Sequence, residues 1–339
     1  MADTDPGKSD GTVGNGRARL VVPPRDVIIS ALLLLLFVAG LAALAAATGW
    51  RETLAELRGL SLGQVAILLA LALGNYGMRG LRWHLYTRTM GLGTGLVQDL
   101  RHFVGGFAMT ATPGRLGELV RMRWIRRETG TAFEKSAPLV LVDRAADLAS
   151  MGLLLAAALG LSSMGLAGGL PVAAVAVGVA IVVTRPRLFH TCVVLAWKLV
   201  GRAPRFFVRA RRSATALQPF SAPAVAPTAL LLGTVGWFSE CYAFYLLLGW
   251  MGADIGLWTA TAIFLFSMMT GGATGTPGGV GGAEAAMIAL LGFQGVGVAV
   301  SLPATAIIRL TTLWFAILLG IAIFPVAEKL SKRRINAVE

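Results

Sequence analysis

The chain alternates between long apolar segments and short polar ones along most of its length. A helix needs about 20 consecutive, mostly apolar residues to cross the hydrocarbon core of a bilayer. The apolar runs that meet this requirement predict six transmembrane helices, at approximately Val27–Thr48, Leu62–Leu81, Ala137–Leu161, Gly165–Thr184, Thr228–Trp250 and Val298–Phe324. The first 26 residues are polar and rich in Gly and Asp, which is typical of a disordered tail.

Two further apolar stretches, about Val97–Pro113 and Leu257–Leu291, are interrupted by related glycine- and proline-containing motifs. The motifs are Thr112-Pro113-Gly114-Arg115-Leu116-Gly117-Glu118 and Thr276-Pro277-Gly278-Gly279-Val280-Gly281-Gly282-Ala283-Glu284. A broken backbone is tolerated at membrane depth only inside protein or beside a wet cavity. We therefore predict re-entrant helix–loop–helix elements near 97–118 and 257–291. Interrupted segments in corresponding halves of a chain point to the substrate site of a transporter.

Each motif is followed by an arginine in a later apolar segment, and we expect both arginines to be buried. Pro113 precedes Arg144 by 31 residues, and Pro277 precedes Arg309 by 32 residues. The joint recurrence of Pro-Gly, a carboxylate and a distant arginine is more specific than Pro-Gly alone in a chain with 42 glycines.

The composition indicates an integral membrane protein, because 56% of the residues are hydrophobic and 14% are charged. The net charge of +13 could suggest a nucleic acid partner, but 26 of the 30 Lys and Arg residues lie on one side of the predicted spans. The predicted outer loops carry only Arg51 and Arg58. The positive-inside rule then places both termini in the cytoplasm. We expect no nucleic acid partner.

This layout predicts an all-α polytopic membrane protein with six transmembrane helices and two re-entrant hairpins in two inverted repeats. Its five parts are a disordered cytoplasmic tail (1–26), a first membrane half (27–184), a basic cytoplasmic connection with interfacial helices (185–227), a second membrane half (228–325) and a basic cytoplasmic tail (326–339). Cys192 and Cys241 are isolated, so neither a disulfide framework nor a metal-ligand spacing is visible.

Charged residues inside the spans are the candidates for chemistry, since each costs about 2.5–3.5 kcal/mol at a helix centre. Asp143 and Asp147 share one helix face, and Arg144 is close enough to pair with Asp147. This cluster either locks neighbouring helices or lines a site for a charged head group. Arg309 has no carboxylate in its own span, so we expect Glu284, Glu240 or an anionic ligand to neutralise it.

Two further groups of residues suit a phosphate. Arg79 and Arg82 face the same way beside Trp83, and a planar guanidinium matches phosphate oxygens; the alternative is that these side chains simply reach the membrane interface. After the first motif, Arg115, Glu118 and Arg121 lie on a predicted helix whose free N–H groups favour an anion.

These residues, in this order, resemble a known family. They are Asn75, Arg79 and Arg82-Trp83; Pro113-Gly114-Arg115-Leu116-Gly117-Glu118 with Arg121; Asp143-Arg144 with Asp147; Pro277-Gly278-Gly279-Val280-Gly281 with Glu284; and Arg309. The pattern resembles the transmembrane region of the lysylphosphatidylglycerol synthases, a flippase-like integral membrane family, over about Leu62–Phe324. The resemblance implies a domain of the kind that, in a two-domain member, flips the aminoacylated phosphatidylglycerol made by a separate soluble domain. The sequence ends at Glu339, so we expect a stand-alone member without the synthase domain.

The resemblance and the residues together predict a lipid translocase of the bacterial inner membrane rather than an enzyme. We expect it to move an anionic or modified phospholipid, or a lipid-linked glycan, with no catalytic residue, cofactor or metal. Glu118 and Glu284 would balance charge or carry a coupling proton. The expected substrate-binding residues are Arg79, Arg82, Trp83, Pro113, Gly114, Arg115, Glu118, Arg121, Asp143, Arg144, Asp147, Pro277, Gly278, Gly279, Glu284 and Arg309.

Two alternatives remain open at this stage. One is a membrane-embedded lipid transferase that holds a magnesium ion between Asp143 and Asp147. The other is an accessory scaffold for envelope glycolipid synthesis. The expected partners are membrane phospholipids or a lipid-linked glycan, a second copy of the chain in a homodimer, and envelope glycolipid-synthesis enzymes.

Overall fold

The computed structural model describes residues 50–112, 117–162, 169–185, 218–222 and 224–335, with scattered positions between 32 and 42 and between 187 and 195. Every element within these residues is helical. The α-helices are α1 (Trp50–Gly59), α2 (Leu62–Thr89), α3 (Leu96–Gly105), α4 (Gly117–Thr129), α5 (Phe133–Leu161), α6 (Gly169–Thr184), α7 (Val225–Trp250), α8 (Leu257–Ala273), α9 (Gly282–Phe293), α10 (Val298–Arg309) and α11 (Phe315–Ile335). The predicted N-terminal tail (1–26), nearly all of the first predicted span (27–48) and most of the 185–227 connection lie outside the described residues. The separate C-terminal tail predicted at 326–339 is wrong for residues 326–335, because they continue helix α11 and pack on other helices.

Shorter helical turns join several of these elements. The 3₁₀ segments are Gly106–Ala111, Gln218–Ser221 and Pro277–Gly279. The π-helical turn Leu310–Trp314 connects α10 to α11. Turns of this kind inside α-helices occur frequently at functional sites.

The long helices follow the predicted spans, with differences at their ends. Helix α2 continues to Thr89 rather than ending near Leu81, because its polar C-terminal half is buried against other helices instead of reaching water. Helix α7 and the joined segment Val298–Lys332 are long and apolar enough to cross a membrane, whereas Leu257–Ala273 and Pro277–Phe293 are shorter apolar helices. The segment around Arg58, predicted as an outer loop, forms helix α1, and the side of the membrane on which it lies stays a prediction.

Local sequence explains where α2 begins. The Ser61 hydroxyl oxygen accepts a hydrogen bond from the Gln64 backbone N–H at 3.2 Å. The Gln64 side chain accepts one in return from the Ser61 N–H at 2.8 Å. This capping box satisfies two backbone donors and stabilises the helix start by about 1 kcal/mol.

Glycines allow the central helices to approach closely. A Cβ atom on Gly233 of α7 would lie 2.7 Å from Nη1 of Arg82 on α2. A Cβ atom on Gly236, one turn later, would lie 3.4 Å from the Asn75 carbonyl oxygen. Gly320 of α11 likewise faces the backbone of Ala108. These contacts pack α7 directly against α2, and α11 directly against the broken segment after α3.

Apolar side chains cover the outside of the helices as well as their interior. One apolar core joins α5, α7, α8 and α10, and a second joins α2, α3 and α5. Outward-facing Val175, Leu231 and Leu318 are 66%, 63% and 49% exposed. Exposed apolar side chains on several helices match a lipid environment, while the charged residues described next lie inside.

Candidate functional site

The centre of the first half is an ion-pair network between α2 and α5. The buried Arg82 guanidinium places Nη2 2.7 Å from Asp143 Oδ1 and 2.6 Å from Asp147 Oδ1. Arg79, one turn earlier, donates from Nη2 to Asp147 Oδ2 at 2.6 Å. The prediction that Arg79 and Arg82 face the same way is therefore confirmed. Both side chains are buried against other helices.

Arg144 joins this network from the same helix as the two aspartates. Its Nη2 lies 3.1 Å from Asp143 Oδ2 and 3.3 Å from Asp147 Oδ2. The predicted pairing with Asp147 is confirmed, but the expectation that Arg144 is buried is wrong, because its side chain is 33% exposed.

The charges around Asp143 and Asp147 bear on the alternative that these two carboxylates hold a magnesium ion. Each of the two aspartates is contacted by more than one guanidinium. A divalent cation between them would have to displace Arg82 and would then face three nearby positive charges. The donor set therefore fits an anion beside the arginines better than a cation between the carboxylates.

Aromatic rings enclose the arginines. The Arg79 guanidinium lies 4.9 Å from the Trp237 ring centroid, and Trp237 donates from Nε1 to Asp147 Oδ1 at 3.2 Å. The Arg121 guanidinium lies 4.4 Å from the Phe103 centroid and 5.3 Å from the Trp83 centroid. Cation–π contacts of this kind hold guanidinium groups away from water. The structure thus brings Arg121 and Trp83, two predicted site residues, together.

The second half contains its own buried ion pair. Arg309 Nε lies 2.6 Å from Glu284 Oε1, with the two side chains 4% and 8% exposed. Arg309 Nη2 also donates to the Gly278 carbonyl at 2.7 Å. The other Glu284 oxygen accepts from the Gly281 N–H at 2.6 Å. The expectation that Glu284 neutralises Arg309 is confirmed, so the ion pair ties α10 to the Pro-Gly turn before α9.

Glycine is required in this turn by its backbone. Gly278, Gly279 and Gly281 have φ of 63°, 71° and 90°. Side chains other than glycine are strained in this region. A Cβ atom on Gly279 would also lie 3.0 Å from the Gly271 carbonyl carbon of α8. The turn therefore brings bare backbone close to Arg309.

The two motif regions approach one another in the fold. The 3₁₀ segment Gly106–Ala111, directly before the first motif, contacts the segment Pro277–Gly279 of the second. Pro113, Gly114 and Arg115 lie outside the described residues. Helix α4 includes Glu118, but its side chain is not among those described. The segment directly before the first motif therefore lies beside the second motif, and the closeness of the two motifs themselves stays a prediction.

Two residues lie between the halves in a way that sequence reasoning did not predict. Glu240 of α7 is 6% exposed and lies within electrostatic range of Arg79, Asp147 and Arg309. The sequence suggested it only as a partner for Arg309. The Tyr76 hydroxyl donates to the Thr312 carbonyl in the π-helical turn that follows Arg309. No local pattern around Tyr76 indicates this contact, because Thr312 is 236 residues away.

Several buried donors around the network have no acceptor within the part of the chain that the structure describes. They are Asn75 Nδ2, Arg82 Nη1 and Trp83 Nε1. A buried donor without an acceptor costs about 1–3 kcal/mol. These atoms can be satisfied by a polar group with acceptor oxygens that enters the network.

The basic run that follows the first motif is held by carboxylates. Glu328 of α11 binds Arg127 Nη1 at 2.6 Å, Trp124 Nε1 at 2.9 Å, and Arg123. Glu128 lies 2.5 Å from Arg101 and 3.1 Å from His102 Nε2. Although burial opposes this shift, His102 and Arg101 lower the pKa of Glu128 below its ordinary value. Arg123 and Arg127 therefore anchor α4 to α11.

An apolar cavity of about 200 Å³ lies on the side of α5 next to the network. Its lining includes Tyr86, Val142, Ala146, Phe220 and Ala229, which come from α2, α5, α7 and the turn before α7. Tyr86 also lies in electrostatic range of Arg82 and Asp143. A hydrocarbon-lined cavity and a set of buried arginines are therefore neighbours.

Long apolar helices, an outward apolar surface and an interior charge network define a helical membrane protein. Comparison with models of known protein families identifies the family. The model of the lysylphosphatidylglycerol synthase transmembrane region matches residues 27–320, and the chain belongs to this family. The resemblance noted from the sequence is thereby confirmed, and it places the protein among membrane proteins involved in lipid handling. No individual curated protein was found to match the chain.

Proposed function

We propose that this protein is a lipid translocase that moves an anionic phospholipid or a lipid-linked glycan between the leaflets of the bacterial inner membrane. In this proposal both termini are cytoplasmic, six helices span the membrane and two broken elements form inverted re-entrant hairpins. The protein has no catalytic residue and acts through binding and conformational change.

The observation that carries the proposal is the interior arginine network. Arg79, Arg82 and Arg309 are buried, Arg144 is partly exposed, and these arginines from both halves of the chain lie among carboxylates in an apolar protein. Buried ionic groups are costly and in membrane proteins mark substrate pathways. An anionic head group would replace part of the aspartate contacts and would also fill the unpaired donors of Arg82 and Trp83.

Arg144 is the arginine best placed to meet a head group first. Its side chain is 33% exposed, and its contacts to the aspartates are longer than those of Arg82. Arg144 can therefore exchange an aspartate for a phosphate with less rearrangement than Arg82 requires. The adjacent apolar cavity would accept part of an acyl chain during that exchange.

The contact between the two broken segments supports alternating access. Transporters commonly bind substrate where interrupted helices of two repeats meet near the bilayer midplane. Here the segments Gly106–Ala111 and Pro277–Gly279 are in contact, and the buried Arg309–Glu284 pair fixes one of them to α10. A shift of either segment would change access to the network.

The test is movement of fluorescent phosphatidylglycerol in vesicles that contain the purified protein. An impermeant reductant bleaches only the fluorescent lipid in the outer leaflet. The fraction bleached when the reductant is added after a delay therefore measures how much lipid has changed leaflet. We expect movement with wild-type protein and none above background in protein-free vesicles. Addition of a metal chelator should leave the rate unchanged, whereas a metal-dependent lipid transferase would produce a modified lipid and stop when the metal is removed.

A matched pair of variants tests the assignment of the site. Arg144→Gln removes a charged hydrogen-bond donor worth about 1.5–3 kcal/mol, which corresponds to a loss of roughly tenfold or more in rate. Arg58→Gln changes an exposed arginine on α1 and should leave the rate unchanged. Equal rates for both variants would remove Arg144 from the site, and wild-type protein that moves no lipid would reject the proposed function.

A further inference from the structure

Glu240 is a buried carboxylate whose role is not explained by the ion pairs around it. It lies on α7 and is 6% exposed. Among the residues that the structure describes, no hydrogen bond or salt bridge is formed by its side chain, whereas Asp143, Asp147 and Glu284 each bind a guanidinium directly. A charge buried without a direct partner is unfavourable unless it is neutralised by a nearby charge or by a proton.

The position of Glu240 places it between the two halves of the charge network. Glu240 follows Trp237 by three positions, so both side chains share one face of α7. Trp237 contacts Arg79 and Asp147 on that face. Arg309 of the second half is also within electrostatic range of Glu240. Glu240 is thus in range of arginines from both halves and is directly bonded to neither.

Titratable side chains on three neighbouring helices lie within electrostatic range of Glu240. Helix α2 contributes Tyr76 and Arg79, α5 contributes Asp147, and α10 contributes Arg309. Helix α8, which also packs on α7, has no titratable side chain. The adjacent residue on α7 itself is Cys241.

Charge determines what protonation of Glu240 would do. Ionised Glu240 places a negative charge within electrostatic range of Arg79 and Arg309, one arginine from each half of the network. Neutral Glu240 leaves more of their positive charge available to an anion, so the proton and the anion each make binding of the other more favourable.

We infer that Glu240 binds a proton that accompanies the anionic head group, so that one proton and one negative charge cross the membrane together. This inference rests on the proposed lipid translocation and adds its coupling ion. The proton is taken up by the Glu240 carboxylate when the head group enters and is released when it leaves. No covalent bond to the lipid is made or broken.

The sequence led us to expect that Glu118 and Glu284 balance charge or carry a coupling proton. Both Glu284 oxygens are engaged, one by Arg309 and one by the Gly281 N–H, which fits charge balance. Protonating Glu284 would break the ion pair that holds the second motif. Glu240 can gain or lose a proton without breaking a direct contact among the described residues.

The first test measures proton uptake. Phosphatidylglycerol is added to wild-type protein in weakly buffered detergent solution that contains a pH-sensitive dye. We expect uptake of about one proton per bound lipid on the alkaline side of the Glu240 titration, because binding favours the protonated form. Diacylglycerol, a neutral lipid with the same acyl chains, should produce no proton uptake. Binding of phosphatidylglycerol without proton uptake at any pH would overturn the inference, and this experiment needs no variant.

The second test uses Glu240→Gln, which imitates the protonated side chain. Binding is measured by quenching of tryptophan fluorescence with brominated phosphatidylglycerol over a series of pH values. The wild-type affinity should weaken by up to about tenfold per pH unit as Glu240 ionises, whereas the variant should bind tightly throughout. Glu56→Gln, an exposed glutamate on α1, is the matched control and should behave as wild type. A variant that keeps the wild-type pH dependence would assign the proton to another group.

The third test separates the failure of this inference from the failure of the proposed function. In vesicles, a pH gradient that drives protons in the direction of lipid movement should accelerate wild-type transport and leave Glu240→Gln unaffected. Transport that is insensitive to the gradient in both proteins would keep the lipid translocase and reject Glu240 as its proton site. Proton-linked binding without any lipid movement would keep Glu240 as a proton site and reject the lipid translocase. Glu240→Asp, which keeps the titrating group, should retain the gradient dependence.

Discussion

The buried Arg309–Glu284 pair allows a quantitative test of the second half. Arg309 makes its ion pair to Glu284 at 2.6 Å and a hydrogen bond to the Gly278 carbonyl at 2.7 Å, with its side chain 4% exposed. Arg309→Met would leave a carboxylate and a carbonyl buried without their donor. Removing one partner of a buried pair costs about 3–5 kcal/mol, which is a large share of a typical unfolding free energy of about 5–15 kcal/mol.

The double variant should recover most of that loss. Arg309→Met combined with Glu284→Gln removes both charges, and the glutamine oxygen can still accept from the Gly281 N–H. We expect the double variant to lie within about 1–2 kcal/mol of wild type, because a buried ion pair replaced by neutral groups is often close to neutral. The free energy of unfolding is measured by denaturant titration in mixed micelles, with Arg58→Met as the exposed control.

Two outcomes would refute this reasoning. If Arg309→Met loses less than about 1 kcal/mol, Arg309 is not held by a desolvated pair. If the double variant is no more stable than Arg309→Met, the two residues are not coupled. The transport assay then assigns the role: a folded double variant that moves no lipid makes Arg309 a substrate contact, whereas one with wild-type transport makes it structural.

Three further predictions concern topology, the glycine turn and acid. In intact cells, Arg58→Cys and Asp254→Cys should react with an impermeant thiol reagent and Lys329→Cys should react only after permeabilisation; external labelling of position 329 would reject the proposed orientation. Gly279→Ala should destabilise the protein by about 1–2 kcal/mol in thermal unfolding, because its φ of 71° disfavours any side chain; an unchanged melting temperature would contradict this. The lowered pKa of Glu128 stabilises the folded state at neutral pH, and that contribution is lost as the pH falls from the ordinary glutamate value through the lowered pKa of the folded state; Glu128→Gln should reduce this acid sensitivity, measured by unfolding at several pH values.

Local sequence was sufficient for the elements and for some of the site. Apolar runs located the long helices, since a span of lipid requires about 20 such residues wherever they pack. Glycine and proline located the break at Pro277–Gly279, because the required backbone angles are local. The pairing of Arg144 with Asp147 also followed from the sequence, because positions three apart on a helix are neighbours.

The tertiary structure decided which charges meet across helices. Arg82 and Asp143 are 61 residues apart, and Arg79 and Asp147 are 68 residues apart. Their contacts depend on the rotation and close approach of α2, α5 and α7, which no local pattern specifies. The same packing leaves Arg144 partly exposed and brings Glu284, rather than Glu240, into direct contact with Arg309. Sequence by itself determined that buried charges exist and must be neutralised, whereas the packing of helices determined which partners neutralise them and left Glu240 between the two halves.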